Sequence, residues 1–199
     1  MKALLISIKP KYVVKILNGK KTIEVRKRFP KDYKGWVYIY CTKNKERLVD
    51  LRDDSFYCGM SKRLNGKVVA RFYCDKVEEI KYHFGYYDMG ECAESYILEK
   101  SCLSAEELDN YLQASKDYDE KKPSKVYGYA IHISNLEIFD KPKELGEFMP
   151  VKWDKCGVKD KNGLYQCNKC PYGDNSILEC NYKPLTKAPQ SYCFIEVEE

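Results

Sequence analysis

The sequence predicts a mixed α+β domain, because strand patterns and helix signals alternate along its 199 residues. Three segments, residues 36–42, 66–80 and 126–139, carry the alternation or the continuous apolar run of β-strands. Two helices are marked by their own end signals, and a Cys-rich polar stretch interrupts the later part of the chain. The predicted organisation is a core of residues 1–139, an insertion of residues 140–186 and a closing strand in residues 187–199.

The apolar opening, residues 3–8, predicts a first strand, and Pro10 predicts the start of a helix directly after it. Proline suits a first helical turn because its missing N–H would have no partner there. Gly19 predicts the end of this helix, since glycine readily adopts the left-handed conformation that closes many helices. Apolar side chains recur at helical spacing between the two: Tyr12, Val13, Ile16 and Leu17.

Residues 19–28 bring ammonium, hydroxyl, carboxylate and guanidinium groups together within one strand length of the helix end. Strand alternation places Ile23 and Val25 on one face. The other face carries Thr22, Glu24, Arg26 and Arg28. Such a face can bind an anionic or amide-bearing ligand. The alternative is a solvated face whose opposite charges pair weakly.

The middle of the chain predicts two strands, a loop and a helix. In residues 36–42 the aromatic side chains Trp36, Tyr38 and Tyr40 share one face, while the run in residues 67–74 suits a strand covered on both sides. Residues 81–103 are predicted to be an aromatic loop with little regular structure. Ser104 and Glu107 form a capping box that opens the second helix, which carries Leu108, Tyr111 and Leu112 on one face. Residues 126–139 follow as a strand or a strand pair.

Four cysteines in the insertion have the spacing C-x10-C-x2-C-x9-C. They are Cys156, Cys167, Cys170 and Cys180. Four thiolates so spaced can close a tetrahedral zinc site, and a segment without a visible core needs such a staple. Free thiols and a reversible redox pair are the alternatives.

No targeting or membrane-length apolar segment is visible, so a cytoplasmic protein with reduced thiols is expected. The other cysteines have no ligand spacing and are expected to be buried free thiols. They are Cys41, Cys58, Cys74, Cys92, Cys102 and Cys193. His132 is expected to make a structural hydrogen bond, and His83 has no catalytic partner nearby in sequence.

The chain is mildly basic, with a net charge of +5 and a pI near 8.5, which permits nucleic-acid binding without demanding it. The basic excess is concentrated in residues 1–47, the region that contains the polar strand face. Tyrosine is the main aromatic residue, with 18 copies against 7 of phenylalanine. Its hydroxyl-bearing rings suit base stacking, although tyrosine also fills ordinary sheet surfaces.

The opening order of strand, Ile8-Lys9-Pro10, helix and residues 19–26, of sequence GKKTIEVR, resembles the start of an ASCH domain. ASCH domains are a branch of the PUA-like superfamily. Residues 187–194, of sequence KAPQSYCF, resemble the closing strand of phage and bacterial ASCH proteins. The resemblance implies a twisted β-barrel with flanking helices. It also implies a basic cleft beside the first helix, and this cleft is expected to bind RNA or a modified nucleotide.

In the binding interpretation, cations of the cleft meet phosphate and Glu24 accepts hydrogen bonds from base or ribose donors. Gln190 and Ser191 on the closing segment add amide and hydroxyl contacts. The predicted ligand-binding residues are Lys9, Lys21, Glu24, Arg26, Arg28, Gln190 and Ser191.

The alternative is an amidohydrolase acting on N4-acetylcytidine or a related N-acylated amide, since some ASCH proteins have that activity. The resemblance then assigns the base to Lys21, but Glu24 stands where those hydrolases have their catalytic threonine. Thr22 is the nearby hydroxyl, which makes Lys21, Thr22 and Glu24 the candidate catalytic set. Glu99 is a candidate for the family's other glutamate. Ribonuclease activity is a third hypothesis, without a histidine pair or clustered carboxylates to support it.

Overall fold

The computed structural model describes residues 1–45, 63–90, 92–118, 125–151 and 184–197. All four predicted zinc ligands, Cys156, Cys167, Cys170 and Cys180, and also Cys58, lie outside these ranges. In chain order the elements are β1 (Lys2–Ile8), α1 (Pro10–Leu17), β2 (Ile23–Arg26), β3 (Gly35–Cys41), β4 (Lys67–Cys74), β5 (Val77–His83), β6 (Tyr86–Met89), β7 (Cys92–Ala93), α2 (Glu94–Ser101), α3 (Ala105–Leu112), α4 (Ala114–Asp117), β8 (Val126–His132), β9 (Ser134–Glu144), β10 (Met149–Pro150) and β11 (Tyr192–Glu196). The predicted α+β class is confirmed.

A six-stranded sheet, in the order β10-β11-β1-β3-β4-β9, contains the start and the end of the chain. Its strand β1 pairs in parallel with β3 and antiparallel with β11, which lies within the predicted closing segment of residues 187–199. The alternation predicted for β3 is also confirmed. Val37 and Ile39 enter the main core with Leu4, whereas Tyr38 packs in a separate cluster on the other face.

A five-stranded sheet, in the order β2-β8-β5-β6-β7, packs against the helices α2 and α3. The fully buried side chains Ile80, Ile97 and Leu108 join the sheet to these two helices. Because Ile23 and Val25 enter the same cluster, alternation turns Glu24 and Arg26 to the opposite side of β2.

The two sheets remain open toward each other in the described residues, so the closed barrel implied by the resemblance is wrong for this part of the chain. β4 leads into β5 and β8 leads into β9, and each pair changes sheet at a bend near His132. On the opposite side, β1 has its two partners in β11 and β3, which leaves no hydrogen-bonding edge for β2. The Arg26 side chain spans this gap by donating from Nη2 to the Ser7 carbonyl at 2.6 Å.

Both predicted helices form with the expected ends. The helix α1 begins at Pro10, and Gly19 has a left-handed φ of +74° two residues after its last residue. In α3 the Ser104 hydroxyl accepts from the Glu107 N–H at 3.1 Å, while the Glu107 carboxylate accepts from the Ser104 N–H at 3.2 Å. No helix in the described ranges is long and apolar enough to cross a bilayer.

The loop predicted for residues 81–103 is wrong, because this segment forms the end of β5, the short strands β6 and β7, and α2. The apolar residues of α2, Tyr96, Ile97 and Leu98, are consecutive and therefore give no helical spacing in the sequence. Burial of Ile97 against the five-stranded sheet supplies the stabilisation instead. β9 also continues to Glu144, past the predicted core boundary at residue 139.

Candidate ligand-binding cleft

A cleft of about 800 Å³ lies where the two sheets are open, between α1, β2, α3 and residues 188–190. Its floor carries Lys21, Glu24 and Arg26. Ile8, Leu103 and Pro189 contribute apolar wall, and Tyr12 and Tyr111 contribute tyrosine surface. Val25 and Tyr40 also belong to the lining of the cleft, although their side chains pack in other clusters. The lysines Lys9, Lys11 and Lys43 also line it. The cleft therefore combines a charged floor, aromatic surface and a basic rim.

The floor is a buried charge cluster. Lys21 is 2% exposed, and Glu24 and Arg26 are each 7% exposed. Glu24 Oε2 lies 3.2 Å from Lys21 Nζ, and its Oε1 lies 2.9 Å from Arg26 Nε. One carboxylate thus stands between two buried cations, in surroundings where unpaired charge is costly.

The helix α2 holds Lys21 from the other side. Lys21 Nζ donates to the carbonyl of Ser101, the last residue of α2, at 2.7 Å. Lys15 Nζ donates to the carbonyl of the next residue, Cys102, at 3.1 Å. The carbonyl end of a helix carries partial negative charge, so both ammonium groups are placed where they stabilise it. Lys21 is consequently a fixed part of the floor.

Arg26 is less completely satisfied than Lys21. Its Nη2 donates to Ser7, but its buried Nε makes no hydrogen bond to any described residue, since the 2.9 Å contact with Glu24 lacks hydrogen-bond alignment. Buried donors in proteins are normally hydrogen-bonded, and an unmade bond is costly. Because this Nε is itself buried, a ligand acceptor has to displace the Glu24 contact to complete the hydrogen bonding of Arg26.

At the rim, Glu107 joins α3 to α1. Its Oε1 accepts from Lys11 Nζ at 2.8 Å and from the Tyr12 hydroxyl at 3.3 Å. The hydrogen bond from Lys11, with that from the Ser104 N–H, lowers the pKa of Glu107 from 4.5 to about 2. The Tyr12 ring has the ammonium groups of Lys11, Lys15 and Lys21 within 4.6, 5.8 and 5.4 Å of its centroid.

The structure brings five of the seven predicted ligand-binding residues to the cleft: Lys9, Lys21, Glu24, Arg26 and Gln190. Arg28 and Ser191 lie elsewhere. The Ser191 hydroxyl donates to the Arg28 carbonyl at 3.1 Å, and neither residue lines the cleft.

The candidate catalytic set is not assembled as a unit. Thr22 is exposed, precedes β2 and does not line the cleft, although its neighbours Lys21 and Glu24 do. Its N–H donates to the Lys100 carbonyl at 2.9 Å. Glu99 is exposed on α2 and pairs with Lys100 at 2.8 Å. Another residue, Glu107, supplies the second carboxylate of the cleft.

Sequence reasoning did not place four further residues in the cleft: Lys11, Tyr12, Glu107 and Tyr111. Tyr12 and Tyr111 were recognised as members of apolar helix faces, and Glu107 as half of the capping box. The available signal was the Lys9-Pro10-Lys11 sequence, which places two lysines at the start of a helix where cations are unfavourable.

The structure confirms some of the expectations for the remaining cysteines and histidines and not others. Cys41 and Cys74 are buried free thiols, and burial raises their pKa to about 11 and about 12. Cys92, Cys102 and Cys193 are free but only partly buried. His132 makes its predicted structural contact, with Nε2 2.6 Å from Glu78 Oε2. No cluster of metal-ligating side chains occurs among the residues that the structure describes.

Fold and site together define an α+β protein with a partly enclosed, charge-lined cleft between its two sheets. Comparison with protein-family models and with curated proteins found no match. Among solved structures, the chain is similar to an ASCH protein from Zymomonas mobilis at 16% identity, with a TM-score of 0.45 over 72% of this chain and 73% of that one. Two point mutants of that ASCH protein match at the same identity, with TM-scores of 0.44 and 0.42.

Proposed function

We propose that the cleft binds a nucleotide, either free or as one residue of single-stranded RNA. The observation that carries the proposal is the floor pair, in which a Glu24 carboxylate oxygen and the unaligned Arg26 Nε stand 2.9 Å apart. Nucleobase edges present neighbouring hydrogen-bond donors and acceptors. A protein acceptor beside a protein donor can pair with such an edge. Glu24 accepts from the base and Arg26 donates to it.

The size and lining of the cleft support a ligand of this class. A volume of about 800 Å³ lies within the range of small-molecule sites, which are mostly apolar with a few fixed polar groups. The rings of Tyr12 and Tyr111 offer surfaces on which a base can stack. Lysines at the rim supply positive charge for phosphate, and attraction of this kind weakens with added salt.

Hydrolysis of an N-acylated cytidine is the second candidate. The burial of Lys21 favours it, since a desolvated lysine can serve as a catalytic base. Against it stand the position of Thr22 outside the cleft and the partners of Lys21, a carboxylate and a carbonyl, which suit an ammonium group. Binding without chemistry therefore fits the contacts better. Ribonuclease activity has less support, because neither His83 nor His132 lines the cleft.

Calorimetric titration with the four ribonucleoside 5′-monophosphates and a short single-stranded RNA, at low and high salt, tests the proposal. Arg26→Lys keeps the charge but removes the planar donor set, so affinity should fall by about tenfold, the value of one good bidentate contact. Arg71→Lys is the matched control, because Arg71 pairs with Glu137 away from the cleft. Failure of the wild type to bind any of these ligands would overturn the proposal.

A chromatographic assay of N4-acetylcytidine separates the two candidates. Binding without turnover is expected for the wild type. Turnover that is lost in Lys21→Met, with the fold of the variant intact by circular dichroism, would establish the hydrolase in place of a binding module.

A further inference from the structure

The first turn of α1 is electrostatically unusual. Its N-cap is Lys9, which makes no side-chain capping bond, Lys11 follows Pro10 in the first turn, and that turn contains no acidic residue. A helix N-terminus carries partial positive charge and is stabilised by anions, so two lysines there oppose the helix dipole. Arrangements that oppose local stability are typical of functional sites. This end of α1 is suited to an anion.

In the structure a carboxylate from another helix contacts the side chains of this turn. Glu107 of α3 accepts from Lys11 Nζ and from the Tyr12 hydroxyl through the same oxygen, Oε1. All three residues line the cleft, together with Lys9 and Lys43. One anionic oxygen contacted by an ammonium and a hydroxyl is the arrangement that a phosphate oxygen would adopt.

The contact is exchangeable. The side chains of Lys11 and Glu107 are 45% and 40% exposed, and exposed ion pairs contribute little to stability. The other carboxylate oxygen, Glu107 Oε2, accepts from the Ser104 N–H and so retains a partner when Lys11 is released. A phosphate group brings more negative charge than one carboxylate and would compete successfully for Lys11.

A second observation indicates that the cleft takes a ligand at all. The buried Arg26 Nε at the floor has no hydrogen-bond partner among the described residues. Arg26 lines the same cleft as Lys11, Tyr12 and Glu107. The floor therefore holds a buried donor whose hydrogen bond is unmade despite its ion pair with Glu24, while the rim holds an anion position filled by the protein itself.

We infer that the Lys11–Tyr12 corner of the cleft is a phosphate subsite and that Glu107 is its built-in competitor, which a nucleotide phosphate displaces. The inference rests on the proposed function and adds to it the phosphorylated form of the ligand. It assigns phosphate to the rim and leaves the floor to the base. Glu107 thereby lowers affinity for phosphate and disfavours weakly bound anions.

The test compares ribonucleosides with their 5′-monophosphates by calorimetric titration against the wild type and three variants. Glu107→Gln keeps the capping box, in which glutamine replaces glutamate, but removes the competing charge. It should strengthen monophosphate binding about fivefold, the scale of one exposed ion pair, and leave nucleoside binding unchanged. Lys11→Gln should weaken monophosphate binding by a similar factor, again without an effect on nucleosides. Glu106→Gln, on the same helix turn but outside the cleft, is the matched control.

The outcomes distinguish the subsite from the proposed function. The subsite is supported if the wild type binds monophosphates more tightly than nucleosides, or binds monophosphates alone. Inorganic phosphate should then compete with the monophosphates. Equal binding of both forms, unaffected by Glu107→Gln and Lys11→Gln, overturns the subsite while the proposed function stands. Binding of neither form overturns both. If Glu107→Gln alone lowers the melting temperature, Lys11→Gln still decides between these results.

Discussion

Glu24 organises the floor of the cleft, although the sequence only indicates which face it shares. Alternation correctly groups Glu24 with Arg26 and opposes both to Ile23, but it gives no information on burial. The solvated-face alternative is wrong for Glu24 and Arg26, which are 93% buried. The carboxylate binds two cations that are themselves tied to backbone carbonyls of Ser7 and Ser101. Long-range partners of this kind leave no trace in local sequence pattern.

Glu24→Ala is expected to destabilise the protein strongly, because it leaves two buried cations without their shared carboxylate. Removal of one partner from a buried ion pair typically lowers the free energy of unfolding by about 3–5 kcal/mol. Urea unfolding followed by circular dichroism measures the loss. The control is Glu99→Ala, which breaks the exposed pair with Lys100 in α2 and should cost less than about 1 kcal/mol. Equal losses in the two variants would contradict the role given to Glu24.

Secondary structure elements with strong local signals were predictable, and short ones were not. Pro10 and Gly19 define α1, and the Ser104–Glu107 capping box defines the start of α3, because each residue type satisfies a local backbone requirement. β6 and β7 have four and two residues, too few for an alternating sequence pattern to be recognised. β6 pairs with β5 and β7 pairs with β6, and this pairing is decided by tertiary packing.

The hairpin that joins β5 to β6 contains a local conflict. Its two-residue loop is Phe84-Gly85, since His83 pairs with Tyr86, and both loop residues have positive φ, +48° and +92°. Asparagine followed by glycine is the preferred pair for such loops, whereas a left-handed phenylalanine is disfavoured. The Phe84 ring is 90% exposed, so little burial offsets this cost.

Phe84→Asn should therefore raise the free energy of unfolding by about 0.5–1 kcal/mol, part of the cost of a left-handed non-glycine residue. Chemical denaturation of the variant and the wild type measures the difference. Gly85→Ala, at a φ of +92°, should change stability in the opposite direction. A loss of stability in Phe84→Asn would show that the ring makes a stabilising contact, contrary to its exposure.

At the scale of the whole molecule, the cleft exists because the two sheets do not close beside β2. The sequence predicted a basic region in residues 1–47 and a site next to α1. The cleft lies next to α1, and the basic residues of that region which line it are Lys9, Lys11, Lys21, Arg26 and Lys43. The sequence could not predict the opening, because the pairing of β1 with β11 joins residues almost a chain length apart. The closed barrel was predicted from the family resemblance. The described strands instead form two sheets that are open toward each other.

The proposed zinc site concerns Cys156, Cys167, Cys170 and Cys180 and rests on their spacing alone. If zinc binds there, purified protein should contain about one equivalent, as expected for a four-thiolate structural site. Cys170→Ser should lose the metal and unfold at lower temperature, whereas Cys102→Ser, at a partly exposed free thiol, should keep it. Metal analysis by mass spectrometry decides, and a folded, metal-free wild type would contradict the proposal.

The central claim is that a nucleotide binds in the cleft between α1, β2 and α3. Two-dimensional amide NMR during titration with a ribonucleoside 5′-monophosphate tests it most directly. The account predicts saturable shifts concentrated in residues 7–12, 21–26, 103–111 and 188–190, with Arg71 and the hairpin loop at Phe84 unaffected. Saturable shifts confined to other surfaces, or no shifts at millimolar nucleotide, would contradict it.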